Sequence, residues 1–328
     1  MAISTQDAFR ARDLLSPARR FVCICHRNPD GDAVGALLGL GLLLERHFPD
    51  TPVSFHCVDG HVPSMFHFLS AALRVQGPPL LAEGDRAIFL DCAEPKLTDM
   101  LDSHPALFDG TIPTLNIDHH PANPLFGTVN LVDPQAASSC EIVAAFADAV
   151  AWDIDGDIAT CLLTGVYTDT GGLLHSNTSS TVYRTVARLL RAGARRQEIV
   201  QAVFRTAKLS TLKLWGRVLE KIELTEEGGA ISAVREADFR ATGADHSELT
   251  GAIDYVNAVP GMRFSLILSE RGDTVKGSLR TLRDDVDVAK MASTFSGGGH
   301  RKAAGFSLKG HLKPEVRWKV VEEEAPPA

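Results

Sequence analysis

Several things are scarce in this chain of 328 residues, and each shortage removes a class of function. Positive charge is not in excess: 41 Asp and Glu against 33 Lys and Arg leave a net charge of -8. That excludes a protein that coats nucleic acid through bulk positive potential, so a polyanionic substrate has to be met by local cations or metals. No cysteine pair has zinc spacing, since Cys23, Cys25, Cys57, Cys92, Cys140 and Cys161 include no CxxC. Most of them sit in apolar runs, which suits reduced core residues of a cytoplasmic protein. The longest apolar run, residues 33–44, is too short to span a bilayer. The opening MAISTQD has no apolar core of a secretory signal, so a cytoplasmic location without a membrane is expected. There is no G-x-S-x-G nucleophile elbow, no internal repeat and no low-complexity segment.

What is present begins with HRNPDGDAVG at 26–35. It follows the apolar run FVCIC at 21–25, a buried strand, and precedes a small-residue apolar run that reads as a helix over 33–47. His26, Asp30 and Asp32 thus stand where a strand ends and a helix begins, the place where open α/β sheets bind ligands. Asp32 alone would be a helix cap. Further strands are expected at 53–58, 86–91 and 111–118, the last two ending in Asp91 and Asp118. Strands separated by helical stretches predict an α/β fold with a mostly parallel sheet and helices on both faces. Ser138 with Glu141 has capping-box spacing for a helix running to about 152, and Asp155 or Asp157 opens the next, which ends near Asp169.

Composition changes along the chain. Residues 1–190 form a first domain, 191–225 a helical connection rich in Arg and Lys, and 226–328 a smaller α/β domain. The second domain contains strands at 222–225, 230–234, 263–269 and 274–280, a helix at 286–295, a glycine-rich loop at 296–300 and a strand at 305–308. The EEEAPPA end, 322–328, reads as a frayed tail.

The chemistry-bearing residues are His26, Asp30, Asp32, Asp91, Asp118, His119, His120 and Asp169. All are carboxylates or imidazoles, which suit Mn²⁺ or Mg²⁺ better than structural zinc. So many acids would repel one another around a single ion, which points to a two-metal centre. An EF-hand is excluded for Asp30-Gly-Asp32, because its fifth and twelfth positions would be Val34 and Gly41. Asp153, Asp155 and Asp157 fail likewise, with Thr164 at the twelfth position, and read as caps and solvated surface.

HRNPDGDAVG at 26–35, LD at 90–91, DHH at 118–120, YTDTG at 167–171 and GGGH at 297–300 occur in this order across nearly the whole chain. In these motifs the chain resembles the DHH phosphoesterases that carry a C-terminal DHHA1 domain. The resemblance implies an N-terminal DHH domain, a DHHA1 domain and a site in the cleft between them. It implies two Mn²⁺, with Mg²⁺ or another divalent ion as substitute: His26 and Asp30 on one, Asp32, His119 and Asp169 on the other, and Asp91 bridging. Asp118 would orient a neighbouring histidine, and His120 would touch a phosphate oxygen or an outer water, unless it is a buried, hydrogen-bonded histidine. Gly297, Gly298, Gly299 and His300 would let backbone N–H groups approach an anion. Arg280 would contact a phosphate or base, unless it is a solvated strand cation, whereas Arg301 and Lys302 read as exposed.

The branch implied is that of bacterial oligoribonucleases that also dephosphorylate 3'-phosphoadenosine 5'-phosphate (pAp). The expected activity is hydrolysis of short single-stranded RNA to nucleoside 5'-monophosphates, with metals supplying the activation of water and no Ser or Cys nucleophile. Three other readings stay open: a di-adenylate phosphodiesterase, a pyrophosphatase or exopolyphosphatase, and a non-enzymatic nucleotide-binding regulator. The resemblance also implies a homodimer through first-domain helices. One departure bears on substrate choice: the family's usual Arg and aromatic after TDTG are Leu174 and His175 here, while Asn177 and Thr178 keep the pattern or cap the next helix.

Overall fold

The computed structural model describes residues 3–16, 18–205 and 207–315, and the tail at 322–328 lies outside the described residues. The chain divides into two compact units, Met1–Thr206 and Ala207–Ala328.

The first unit is built on a sheet of β1 (Arg20–Cys25), β2 (Val53–His56), β3 (Val75–Gln76), β4 (Asp85–Leu90), β5 (Thr114–Asp118) and β6 (Val129–Val132). Its order is β3-β2-β1-β4-β5-β6 and its pairings are parallel. The order runs one way from β1 and the other way from β4, so the switch point lies between them. Helices α1 (Thr5–Leu15), α2 (Gly31–His47), α3 (Ser139–Ala149), α4 (Gly156–Asp169), α5 (Ser180–Arg191) and α6 (Arg196–Ile199) share one core with Phe21, Cys23 and Cys25 of β1 and Ile88 and Leu90 of β4. The alternate residues Val22, Ile24, Ala87 and Phe89 face the other way, under short 3₁₀ turns at Pro95–Thr98 and Pro105–Leu107. The second layer of helix is therefore a set of single turns, with Pro95, Asp99, Asp102, Pro105, Asp109 and Gly110 interrupting any longer helix.

α2 is buried almost all round, as its unbroken apolar run requires. It packs against α4 at glycine contacts: a Cβ on Gly35 would lie 2.5 Å from the Cys161 carbonyl oxygen. Each large side chain fully buried here contributes about 1.5–3 kcal/mol. The six cysteines are free and buried, as reduced core residues. Among the described residues, no helix is long and apolar enough to cross a membrane.

The helical connection expected over 191–225 is broken into pieces. After α6 comes a π-helical turn, Val200–Phe204, and then α7 (Leu209–Glu220) in the second unit. That unit has β7 (Glu223–Leu224), β8 (Gly229–Val234), β9 (Phe264–Arg271), β10 (Thr274–Arg280), β11 (Gly298–His300) and β12 (Ala303–Lys309), ordered β11-β12-β10-β9-β8-β7. α7, α8 (Glu236–Thr242) and α9 (Ala252–Asn257) supply the core on one face, and α10 (Val288–Ser293) packs on the other with Leu279, Ala304 and Phe306. The expected glycine loop at 296–300 is instead largely β11, hairpinned onto β12. Glycines carry no side-chain alternation, so the sequence held no strand signal there; Gly297 and Gly299 are needed because a Cβ on either would strike the backbone of β12.

Candidate metal centre

β1 delivers His26 as the first residue past its carboxyl end. The turn that follows is braced on both sides. The Arg27 N–H donates to the Leu97 carbonyl (2.9 Å), and the N–H of Asn28, at φ +49°, donates to Asp59 Oδ2 (2.6 Å). Asp30, not Asp32, caps α2, its Oδ1 accepting from the N–H groups of Asp32 and Ala33 at 3.0 Å each. The helix starts two residues earlier than the apolar run, which moves the cap to Asp30 and places Asp32 inside the first turn, fully buried. Each Asp32 oxygen accepts a backbone N–H from the start of α3: Oδ2 from Ser139 (2.5 Å) and Oδ1 from Cys140 (3.0 Å).

β4 and β5 end in the other acids. Asp91 directly follows β4 in the left-handed region, at φ +59°, which turns it out of the strand; such backbone is uncommon outside glycine and clusters at functional sites. Asp118 closes β5, fully buried, and accepts from the His119 N–H (2.8 Å), His120 Nδ1 (2.7 Å) and Asn123 Nδ2 (2.6 Å). Asp169 is the last residue of α4.

These segments converge at the switch point of the first sheet. His26 Nε2 lies 4.0 Å from Asp30 Oδ1 and 3.6 Å from Asp91 Oδ2. His119 Nε2 lies 3.9 Å from Asp32 Oδ2, 3.5 Å from Asp91 Oδ1 and 3.3 Å from Asp169 Oδ2. His26, Asp30 and Asp91 form one group that could hold a metal ion, and Asp32, His119 and Asp169 form another. Asp91 reaches both, with Oδ2 toward the first and Oδ1 toward the second. A third overlapping group joins Asp91, His119 and His120.

Burial and mutual repulsion of the acids set the electrostatics of the cluster. Burial, then the charges of Asp91, Asp169 and Asp30, push the Asp32 carboxyl well above its ordinary value. Burial, Asp91 and Asp30 push Asp169 up to about 8. Burial also opposes ionisation of Asp91, but the contact with His26 and the charges of His119 and His120 outweigh it and hold Asp91 below its usual range. For His26 burial opposes the cation, yet Asp91, the Arg27 carbonyl and Asp30 raise it to about 9. His120 is raised by its hydrogen bond to Asp118. Cations bound among these oxygens and nitrogens would relieve the repulsion, and the donor set is that of a hard or borderline divalent ion.

The remaining predicted residues lie in the second unit. Strand register sets His300 opposite Ala303, Ala303 opposite Arg280, and Arg280 opposite Ser265, in one row across the sheet. Directly opposed residues share a face, so Arg280 and His300 flank the small Ala303. Two rows along, Gly298 faces Gly305, and a Cβ on Gly298 would meet open space. Arg301 and Lys302 are tied to the Asp284 carbonyl (2.6 Å) and carboxylate (2.7 Å).

After Asp169, Leu174 is 87% exposed and His175 Nδ1 sits 3.2 Å from the Asp169 carbonyl oxygen. Asn177 Nδ2 donates to the same carbonyl (3.2 Å), while the cap of α5 is Ser179. Sequence reasoning missed Asp59, Asn123 and Ser139. Ser139 stood beside Ser138, which its spacing to Glu141 marked as the cap, and nothing local gave Ser139 a role of its own.

Comparison with known proteins agrees with this geometry. Residues 20–166 match the DHH family, N-terminal domain, and residues 229–325 match the DHHA1 domain. The chain is 33% identical over 299 residues to the bifunctional oligoribonuclease and PAP phosphatase NrnA of Thermus thermophilus, covering 90% of this chain and 86% of that protein. To the protein of the same name in Bacillus subtilis it is 24% identical, over 86% of this chain and 87% of that one. The crystal structure of an exopolyphosphatase-related protein from Bacteroides fragilis shares the fold, with a TM-score of 0.84 at 24% identity over 94% of this chain and 93% of that one. The chain belongs to the DHH family of phosphoesterases, as a DHH domain followed by a DHHA1 domain.

Proposed function

We propose that this protein is a Mn²⁺-dependent phosphoesterase that hydrolyses short single-stranded RNA to nucleoside 5'-monophosphates and removes the 3'-phosphate of pAp. The observation that carries the reading is the pair of donor groups, His26/Asp30 and Asp32/His119/Asp169, that meet at Asp91. Two ions held there would lower the pKa of a water and neutralise charge building on the phosphoryl oxygens. Mg²⁺ or another divalent ion can take their place in this donor set. The likeness to oligoribonuclease and PAP phosphatase proteins supports the substrate class. The free, buried cysteines support a cytoplasmic location.

The chain's own residues have separate tasks in this reading. Asp91 stands between the two groups and orders them. Asp118 accepts from His120 Nδ1, which directs Nε2 away from the carboxylate and favours the imidazolium, a donor for a phosphate oxygen. Within the second unit, Arg280 and His300 flank Ala303 and offer a cation and a hydrogen-bond donor to a nucleotide, and the bare glycines Gly297, Gly298 and Gly299 admit close approach of its backbone.

The test is a side-by-side turnover assay of labelled di- to hexanucleotides, pAp, di-adenylates, pyrophosphate and a long structured RNA, with Mn²⁺ present. Fastest turnover of the short oligonucleotides, with pAp also cleaved, is expected. Equal rates on dinucleotides and structured RNA, or preference for pyrophosphate, would sink the proposal. Asp91→Ala should abolish nearly all turnover while its circular dichroism stays that of the wild type.

A further inference from the structure

Ser139 is the first residue of α3 and is fully buried. Its hydroxyl donates to Asp91 Oδ1 at 2.9 Å, and its backbone N–H donates to Asp32 Oδ2 at 2.5 Å. One residue thus touches a carboxylate from each donor group, reaching back 48 positions to Asp91 and 107 to Asp32. The hydroxyl is not needed to start the helix. Ser138 caps α3, its Oγ accepting from the Glu141 N–H at 3.1 Å. Nor is it needed for Asp32, whose oxygens are met by backbone N–H groups that any residue except proline would supply.

What the hydroxyl does bear on is the rotation of the Asp91 carboxylate. The terminal torsion of an aspartate is broad and two-fold, so packing alone does not select one plane. Oδ1, the oxygen bonded to Ser139, is the one 3.5 Å from His119 Nε2 and 3.7 Å from His120 Nδ1. Oδ2 is left 3.6 Å from His26 Nε2. Among the described residues no other hydroxyl is hydrogen-bonded to Asp91.

We propose that Ser139 is a positioning residue: its hydroxyl fixes the plane of the Asp91 carboxylate, so that one oxygen serves each of the two donor groups. The inference rests on the proposed assignment of those groups as ligands. Ser139 touches no reacting atom, and it acts through Asp91. Partners that orient metal-binding side chains typically account for 10- to 100-fold in affinity, about the size expected here.

The experiment is isothermal titration of metal-free protein with MnCl₂ for wild type, Ser139→Ala and Ser139→Thr, alongside metal-free thermal melts. Wild type should bind two ions. Ser139→Ala should bind them about 10- to 100-fold more weakly, with Ser139→Thr restoring the affinity. Ser139→Ala should also lower kcat at saturating Mn²⁺ with KM for a dinucleotide little changed. Wild-type affinity in Ser139→Ala overturns the inference. So does an equal loss in both variants with a matching drop in the metal-free melting temperature, because that is the signature of a damaged helix start. Failure of the wild type to bind two ions would overturn the ligand assignment itself, a separate outcome seen before any variant is made.

Discussion

Replacing Gly35 by alanine should damage both stability and catalysis, because α2 and α4 meet there backbone to backbone. A Cβ at Gly35 would lie 2.5 Å from the Cys161 carbonyl oxygen, and 3.0 Å from both the Gly165 nitrogen and the Cys140 sulfur. Two of the three atoms are α4 main chain, so no rotamer change relieves them. Reaching ordinary contact at 3.4 Å requires the helices to part by about 0.9 Å. Overpacking of this kind costs about 3 kcal/mol where relaxation is blocked. The better helix propensity of alanine returns about 1 kcal/mol, so a net loss of about 2 kcal/mol is expected in urea unfolding. Gly35 lies one turn beyond Asp32, and α4 ends in Asp169, so the same displacement separates donors of one group. A misplacement near 1 Å costs about 100-fold in rate. Gly216 is the control. It lies inside α7, where an added Cβ meets nothing within 4 Å, so Gly216→Ala should stabilise by about 0.5–1 kcal/mol and leave turnover alone. A Gly35→Ala protein as stable and as active as the wild type would refute the reasoning.

Other perturbations test the charges. At pH 7 without metal, Asp169 (raised to about 8) and His26 (raised to about 9) both carry protons that a bound cation must displace. Mn²⁺ binding at pH 7 should therefore release at least about two protons, and fewer as pH rises through 8 and 9. Titration calorimetry in buffers of different ionisation enthalpy measures this, and a pH-independent release would contradict the assigned charges. In the second unit, Glu248 accepts from Thr211 (2.6 Å), Ser210 (2.7 Å) and Lys208 (3.3 Å), which holds its carboxyl down at about 2. A depressed carboxyl stabilises above its unfolded value near 4.5, and that contribution is lost as pH falls toward 2. Glu248→Gln should flatten the acid limb of the stability profile between those values; an unchanged limb would exclude the effect. Arg20 Nη2 pairs with the fully buried Asp85 at 2.5 Å. Arg20→Met should cost about 3 kcal/mol, the lower end for a broken buried pair because Arg20 itself is partly exposed, and Asp85→Asn should recover part of it. A loss below 1 kcal/mol in urea unfolding would count against a buried charge at Asp85.

Legibility followed the range of the signals. β1, β4 and β5 were readable as apolar runs ending in His26, Asp91 and Asp118, because a strand buried on both faces needs no partner to be recognised. The Ser138 cap of α3 was readable for the same reason, being local within four residues. β6, four residues with an asparagine among them, was not, since its pairing with β5 is what makes it a strand. α8 and α9 went unseen because helices of six or seven residues show too little periodicity. The cap of α2 is Asp30 and not Asp32, because a cap depends on the helix start to within one residue.

By itself the sequence determined which donor atoms exist, that most of them follow strand ends, and that they form a set that could bind a divalent ion. Those properties reside in side-chain chemistry and in apolar runs a few residues long. Only the tertiary structure decided that four segments meet around Asp91 at separations of 3.3–4.0 Å, and that its two oxygens face different groups. It also decided that the hydroxyl of a serine at the start of α3 is hydrogen-bonded to that carboxylate. Parallel strands are joined by long crossovers, so the register that brings residues 26, 91, 119 and 169 together is set by sheet order and helix packing, which no local stretch encodes.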